Sequence, residues 1–188
     1  GLGDVYKRQV LMSALVVGIT INWMFSQEYG LVNFIIRSLG GTALEWSLNP
    51  RLATFVIAFA SVWASIGFNM ILYIGGINSI SNDLYEAATI DGASGVQAFF
   101  RITVPMLAPT TFMVVLLSTV NLLKEYALVQ GITQGGPGLS TTFIIQYIFD
   151  KGFNQMQYGY ASAISTVVMI IFALIAFAQF KVNNGGET

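Results

Sequence analysis

A chain of 188 residues with 55% hydrophobic and only 9% charged side chains departs from the roughly one quarter charged residues of an ordinary globular protein, and points to lipid as the solvent for much of its surface. It has neither cysteine nor histidine, which excludes thiolate and imidazole metal sites, disulfides, cysteine nucleophiles and histidine proton relays. A net charge of −1 gives no basic face for nucleic acid, and no glycine-rich phosphate loop ending in Lys-Ser or Lys-Thr is present, so any nucleotide chemistry belongs to a partner chain.

Residues 1–9, GLGDVYKRQ, are polar, too short and wrongly ordered for a signal peptide. Beyond them, four stretches carry no Asp, Glu, Lys or Arg: 9–27, 52–82, 102–123 and 152–180. About 20 apolar residues cross a bilayer core, so three complete spans are expected at about 52–74, 105–123 and 158–180, with a partial one at about 10–25. Inside hydrocarbon every backbone group must be satisfied within the chain, which leaves helices or a closed barrel. Continuous apolar runs without strict alternation argue against the barrel. The expected class is therefore an all-α membrane protein, a polytopic helical bundle.

The partial span ends at Trp23, whose ring suits a membrane interface. A polar loop over 26–51 holds a short amphipathic element from Leu31 to Leu39, a Gly40-Gly41 stop and an Asn49-Pro50 turn. In the second span Ser61, Ser65 and Asn69 recur at helical spacing and share one face. Two readings fit that face: small-residue packing between helices, or the lining of a hydrophilic path.

Between the second and third spans stands a polar island, LYEAATIDGASGVQAFFRITVPMLAP. Ser81-Asn82-Asp83 is N-cap chemistry, and a short helix is expected from about Asp83 to Ile90, with Glu86 near the positive end of its dipole. Ala87 and Ala88 keep one side slim, Gly92 permits a sharp bend, and a second short helix is expected over about 94–102. Pro105 is expected to redirect the chain into the third span. With Leu84, Ile90, Val96, Phe99 and Phe100 on an apolar side, the island is either an ordinary bent loop packed on its own bundle or a rigid lever offered to a partner.

Ser118, Asn121 and Glu125 share one face at the end of the third span. Glu125 either sits at the interface, paired with Lys124 or reaching water, or belongs to the path. The loop over 124–157 contains TQGGPG, which is turn chemistry, and a helix-like run from Thr141 to Phe149. Small residues at Ala161, Ser162, Ala163 and Ser165 in the last span fit close helix packing. No internal repeat and no second domain is evident. Lys and Arg divide equally between the two sides of the spans: Lys7, Arg8, Arg101 and Lys181 against Arg37, Arg51, Lys124 and Lys151. Charge alone therefore leaves the orientation open.

The spelling of the island, Glu86-Ala87-Ala88, then Gly92, Ile102 and Pro105, resembles the EAA signature of permease subunits of binding-protein-dependent ABC importers, with Val104 in place of the usual Leu. Asp91-Gly92-Ala93 and Pro109 extend the match. FSQEYGLVN at 25–33, WSLNP at 46–50, TQGGPG at 133–138 and YGYASAIS at 158–165 are similar to the carbohydrate-uptake branch, of the maltose and glycerol-phosphate type first permease subunit.

That resemblance implies the type I ABC importer permease fold with a cytoplasmic coupling helix, in the membrane of a prokaryote, with the C-terminus cytoplasmic as well. It makes Glu86, Ala87, Ala88, Asp91, Gly92, Ile102 and Pro105 the residues that couple to an ATPase. It gives Ser61, Ser65, Asn69, Ser118, Asn121 and Glu125 to the substrate path, with Trp63, Phe68 and Tyr126 as aromatic neighbours. The implied partners are a second permease subunit forming a heterodimer, ATP-binding subunits, an extracytoplasmic solute-binding protein and membrane lipid, with no nucleic acid. The chain itself is expected to bind no cofactor and to catalyse nothing, ATP and Mg residing on the partner ATPase. Relatives carry further helices upstream, so residues 1–9 are expected to be a scar or tail, and 10–188 part of a transmembrane domain. The rival readings are a proton-coupled secondary transporter, which would need an acidic residue deep in a span, and a non-transporting structural membrane protein.

Overall fold

The computed structural model describes residues 13–184. Residues 1–9 and the first part of the expected 10–25 span lie outside the described residues. Among the described residues the chain is helical, without a strand.

Helix α1 (Ala14–Met24) is apolar and ends at Phe25. Helix α2 (Leu31–Ser38) is the expected amphipathic element of the first loop. Helix α3 (Pro50–Asn78) starts where Asn49 Oδ1 accepts the Arg51 N–H at 3.0 Å, with Pro50 in the first turn, where its missing donor costs nothing. Its 29 residues give a rod of about 43 Å, longer than the roughly 30 Å hydrocarbon core.

The island then folds into helix α4 (Asn82–Ile90), helix α5 (Gly95–Ala98), a π-helical turn at Phe99–Thr103 and helix α6 (Val104–Met106). Helix α7 (Ala108–Leu123) follows. Two of the expected boundaries are corrected here. The second short helix is regular only over Gly95–Ala98, and the chain turns not at Pro105 but between α6 and α7, where the axes of Gly95–Met106 and Ala108–Leu123 differ by 59°. Pro105 removes a donor and crowds the carbonyl one turn before it, and the chain accommodates this by widening the preceding turn, so that Val104 N–H reaches back five residues to Phe99 O. The third apolar helix consequently begins at Ala108 rather than at 105.

Helix α8 (Ala127–Ile132) is short. Helix α9 (Ile144–Phe149) begins three residues later than the Thr141–Phe149 run. The reason is side-chain competition: Thr141 Oγ1 donates to Gly136 O at 2.6 Å and Thr142 Oγ1 to Gly135 O at 3.2 Å, holding both threonines in the turn. A second π-helical turn at Asp150–Asn154 leads to helix α10 (Tyr158–Asn184). By length and composition α3 and α10 can cross a membrane, and the bent pair ending in α7 passes the same test only when its two halves are taken as one span.

The best-packed core lies where α1, α3 and α8 meet, and includes Ile21, Val56, Ala60, Leu128, Val129 and Ile132. Gly18 and Gly131 make the α1–α8 crossing possible. A Cβ on Gly18 would stand 2.8 Å from Leu128 O and 3.0 Å from Gly131 Cα, and one on Gly131 would stand 2.9 Å from Leu15 O. Asn22 Nδ2 donates to Ile132 O across the same contact. At the neighbouring end, Asn33 is fully buried and uses its whole amide: Nδ2 donates to Gln27 O and Leu44 O, while Oδ1 accepts from Leu44 N–H and Trp46 Nε1. Trp46 in turn stands edge-on to Phe25, with ring centroids 5.0 Å apart.

Elsewhere the helices bury little of themselves. Phe55, Val62 and Phe177 are each more than half exposed, as expected for faces meeting lipid or another membrane chain rather than a water-soluble core. Of the four small residues expected to pack in the last span, Ala161 is buried, against Gly152, and Ser165 is half-buried, while Ser162 and Ala163 are exposed.

Candidate functional site

The surface segment is built by its caps. Ser81 Oγ accepts the Asp83 N–H at 3.3 Å to start α4, and Ser94 and Gln97 form a reciprocal capping box that starts α5. Between them α4 closes in a Schellman motif: Ala93 N–H reaches Ala88 O at 2.9 Å and Gly92 N–H reaches Thr89 O at 3.1 Å. Gly92 sits at φ +76, the left-handed region the motif requires. Glu86, Ala87, Asp91 and Arg101 are exposed, Ala88 and Ile102 half-buried, and Pro105 exposed. Tyr85 and the buried Thr103 share a hydroxyl–hydroxyl hydrogen bond of 2.8 Å that ties α4 to the π-helical turn. This tie was not read from the sequence, where Tyr85 and Thr103 stand 18 residues apart without a pattern linking them.

The two polar faces converge. Ser61, Ser65 and Asn69 on α3, with Ser118 and Asn121 on α7 and Glu125 just beyond it, line a single cavity of about 540 Å³. Ser65 Oγ is held by the Ser61 carbonyl at 2.8 Å, while Ser61 Oγ is buried with no partner. Glu125 Oε1 accepts the Leu128 N–H at 3.0 Å and so caps the start of α8, a role that neither the expected Lys124 pairing nor the path reading foresaw. Lys124 is itself in the cavity wall, as are Phe68 and Leu128. Trp63, by contrast, is exposed and outside the wall, and Tyr126 lines a neighbouring cavity. From Asn69 to the end of α3 the helix climbs about 14 Å at 1.5 Å per residue, so the cavity and the surface segment sit at different depths of the same two helices.

Among the described residues no group of three or more Asp or Glu side chains could hold a metal ion. The chemistry available is therefore hydrogen bonding: hydroxyls and amides that both donate and accept, one carboxylate, one ammonium and an aromatic face. Such a set can recognise a polyhydroxylated solute by its OH groups and its flat C–H face.

Residues 8–184 match the model of the family described as binding-protein-dependent transport system inner membrane component. Curated relatives include the trehalose/maltose transport system permease protein MalF of Thermococcus litoralis, 36% identical over 85% of this chain. The sulfoquinovosyl glycerol transport system permease protein SmoG of Agrobacterium fabrum is 30% identical over 88%. The sn-glycerol-3-phosphate transport system permease protein UgpA of the same organism is 30% identical over 94%. The chain spans 54% of the length of the first two and 61% of the third. In three dimensions it is similar to a chain of a bacterial ABC transporter involved in the import of the acidic polysaccharide alginate, with a TM-score of 0.84 at 23% identity, covering 94% of this chain and 62% of that one. A likeness at that identity speaks to the fold, and the all-helical architecture is that of an ABC importer permease.

Proposed function

The chain belongs to the family of binding-protein-dependent transport system inner membrane components, and from that premise we propose that it is a permease subunit of an ATP-driven importer for a sugar, an oligosaccharide or glycerol phosphate. The observation that carries this reading is the convergence on one cavity of five polar residues from two apolar helices, with Glu125 just beyond the second. Ser61 Oγ is buried there without a partner, and a polar atom withdrawn from water is costly unless it is paired. The hydroxyls of a passing solute supply such partners.

In this reading the α4–α6 segment faces the cytoplasm and docks on an ATPase subunit, which binds ATP and Mg in place of this chain. Glu86 offers a carboxylate to a basic group or backbone donors there, Ala87 and Ala88 permit close approach, and the Gly92 motif fixes the angle between α4 and α5. Closure of the ATPase around nucleotide then moves the segment and, through α6 and α7, the wall of the cavity, giving alternating access by a largely rigid motion. A second permease subunit completes the path against the exposed apolar faces, and an extracytoplasmic binding protein delivers the solute. The solute differs among relatives' names, which include trehalose/maltose, sulfoquinovosyl glycerol and sn-glycerol-3-phosphate systems.

The test is uptake by the subunit reconstituted with its ATPase and second permease. Asn121→Ala and Ser65→Ala are expected to change the relative uptake of maltose, trehalose and glycerol 3-phosphate. Glu86→Lys and Gly92→Asp are expected to abolish uptake while the subunit still inserts in the membrane. Unchanged substrate profiles in the first pair would return the polar faces to packing, and wild-type uptake in the second would sink the coupling assignment.

A further inference from the structure

A second cavity, of about 430 Å³, lies past the break between α7 and α8, within the size range of small-ligand sites. Glu125 lines the first cavity and Tyr126 the second, so adjacent residues of one break border both. The second wall comes from a different part of the chain: α8, the turn over 133–142, α9 and the π-helical turn after it. In the orientation that puts α4–α6 in the cytoplasm, this region lies on the outer side.

Three features of the wall point to one kind of ligand. The first is an unpaired amide oxygen. Gln146 is only 8% exposed, and its Nε2 donates to Gln130 Oε1 at 2.9 Å, yet its Oε1 is buried without a partner. A buried acceptor left unpaired is unfavourable and is satisfied by a ligand hydroxyl or a water. The second is an aromatic lining: Tyr126 and Phe149 pack with ring centroids 5.2 Å apart, and Tyr147 stands beside them in the wall. The third is balanced charge. Asp150 is held by Asn154 at 3.0 Å and Gln155 at 2.8 Å, while Lys151 reaches Gln155 Oε1 at 2.8 Å and lies 5.4 Å over the Tyr147 ring. One carboxylate and one ammonium, each already engaged by neighbours, favour neither an anion nor a cation. Amide groups for hydroxyls, rings for a C–H face and no net charge fit an uncharged sugar ring.

We propose that this cavity is an outer sugar subsite, occupied by the solute before it passes the Glu125–Tyr126 break into the α3–α7 cavity. The proposal rests on the reading of the chain as a sugar-importer permease. It adds a second station to the path and assigns its chemistry to Gln146, Tyr126 and Tyr147.

Because the chain has no cysteine, a single introduced thiol is the only one it contributes, and in an assembly whose partner subunits are made free of cysteine it reports on its own surroundings. Thr142→Cys lies in the outer wall and Ser118→Cys in the inner one, and each exchanges a hydroxyl for a thiol. In the assembled transporter in proteoliposomes, the rate of modification by a small methanethiosulfonate is measured with maltose, trehalose or glycerol 3-phosphate at millimolar concentration, and without solute. The expected result is that a sugar slowing modification at Ser118→Cys also slows it several-fold at Thr142→Cys, that glycerol 3-phosphate does not protect Thr142→Cys, and that adding Tyr147→Leu removes protection at the outer position while leaving it at the inner one. A sugar that protects the inner thiol alone overturns the outer subsite and leaves the importer reading standing. Protection of the outer thiol by glycerol 3-phosphate and not by the sugars overturns its sugar chemistry. Protection of neither thiol by any of the three removes both readings, whereas protection of the outer thiol alone keeps the subsite and removes the inner assignment.

Discussion

Gly92 is constrained by torsion rather than by space. A Cβ there would meet nothing within 4 Å, but φ is +76, which costs an L-residue about 1–2 kcal/mol. Gly92→Ala is therefore expected to lower thermal stability in detergent modestly while leaving uptake measurable, unlike the charge introduced by Gly92→Asp. Asn33 is the opposite case, constrained by its partners. Asn33→Leu strands the Leu44 N–H and Trp46 Nε1, and with about 1–3 kcal/mol for each buried group left unsatisfied, a loss of roughly 2–6 kcal/mol is expected in unfolding followed by tryptophan fluorescence. Glu125 has one structural duty, the cap on Leu128, which an amide oxygen can also perform. Glu125→Gln should keep the melting temperature of the parent protein, so any change in uptake by that variant reports on the carboxylate's charge in the cavity.

The elements divide into those declared by local chemistry and those set by distant contacts. Helices α3 and α4 are legible because their starts are written in neighbouring residues, Asn49-Pro50 for one and Ser81 for the other, and α2 by its amphipathic spacing and the Gly40-Gly41 stop. The polar faces of α3 and α7 are legible by spacing, and so is their shared sidedness. What spacing does not give is that the two faces meet, since that depends on how the 59° bend aims α7. The bend itself was misplaced because Pro105 announces a disturbance without saying that a wider helical turn will absorb it. Most hidden was the α1–α8 crossing, in which Gly18 and Gly131 stand 113 positions apart and neither has a local reason to be glycine. Here a side chain would strike backbone at 2.8–3.0 Å, which cannot swing aside. Gly131→Val is expected to separate α1 from α8, lowering the yield of folded subunit and its melting temperature far more than Gly92→Ala does. Equal melting temperatures for the two variants would refute the close crossing.

At the scale of the molecule, polar groups are gathered inward between helices while apolar side chains dominate the outer faces of α3 and α10. That inversion of a soluble protein's pattern is expected to keep the chain in the membrane pellet after an alkaline carbonate wash, and release into the supernatant would contradict it. The same arrangement places the exposed charges of the island at one end of α3 and α7 and the cavity between them further along. The angle between the Gly95–Met106 segment and α7 then acquires a mechanical meaning. A displacement along the axis of the shorter segment meets α7 at 59°, so its larger component is transverse: under the proposed coupling α7 would be swung sideways like a crank arm rather than driven along its length like a piston. A side-to-side swing widens one mouth of a cleft as it narrows the other, without any helix sliding through the lipid.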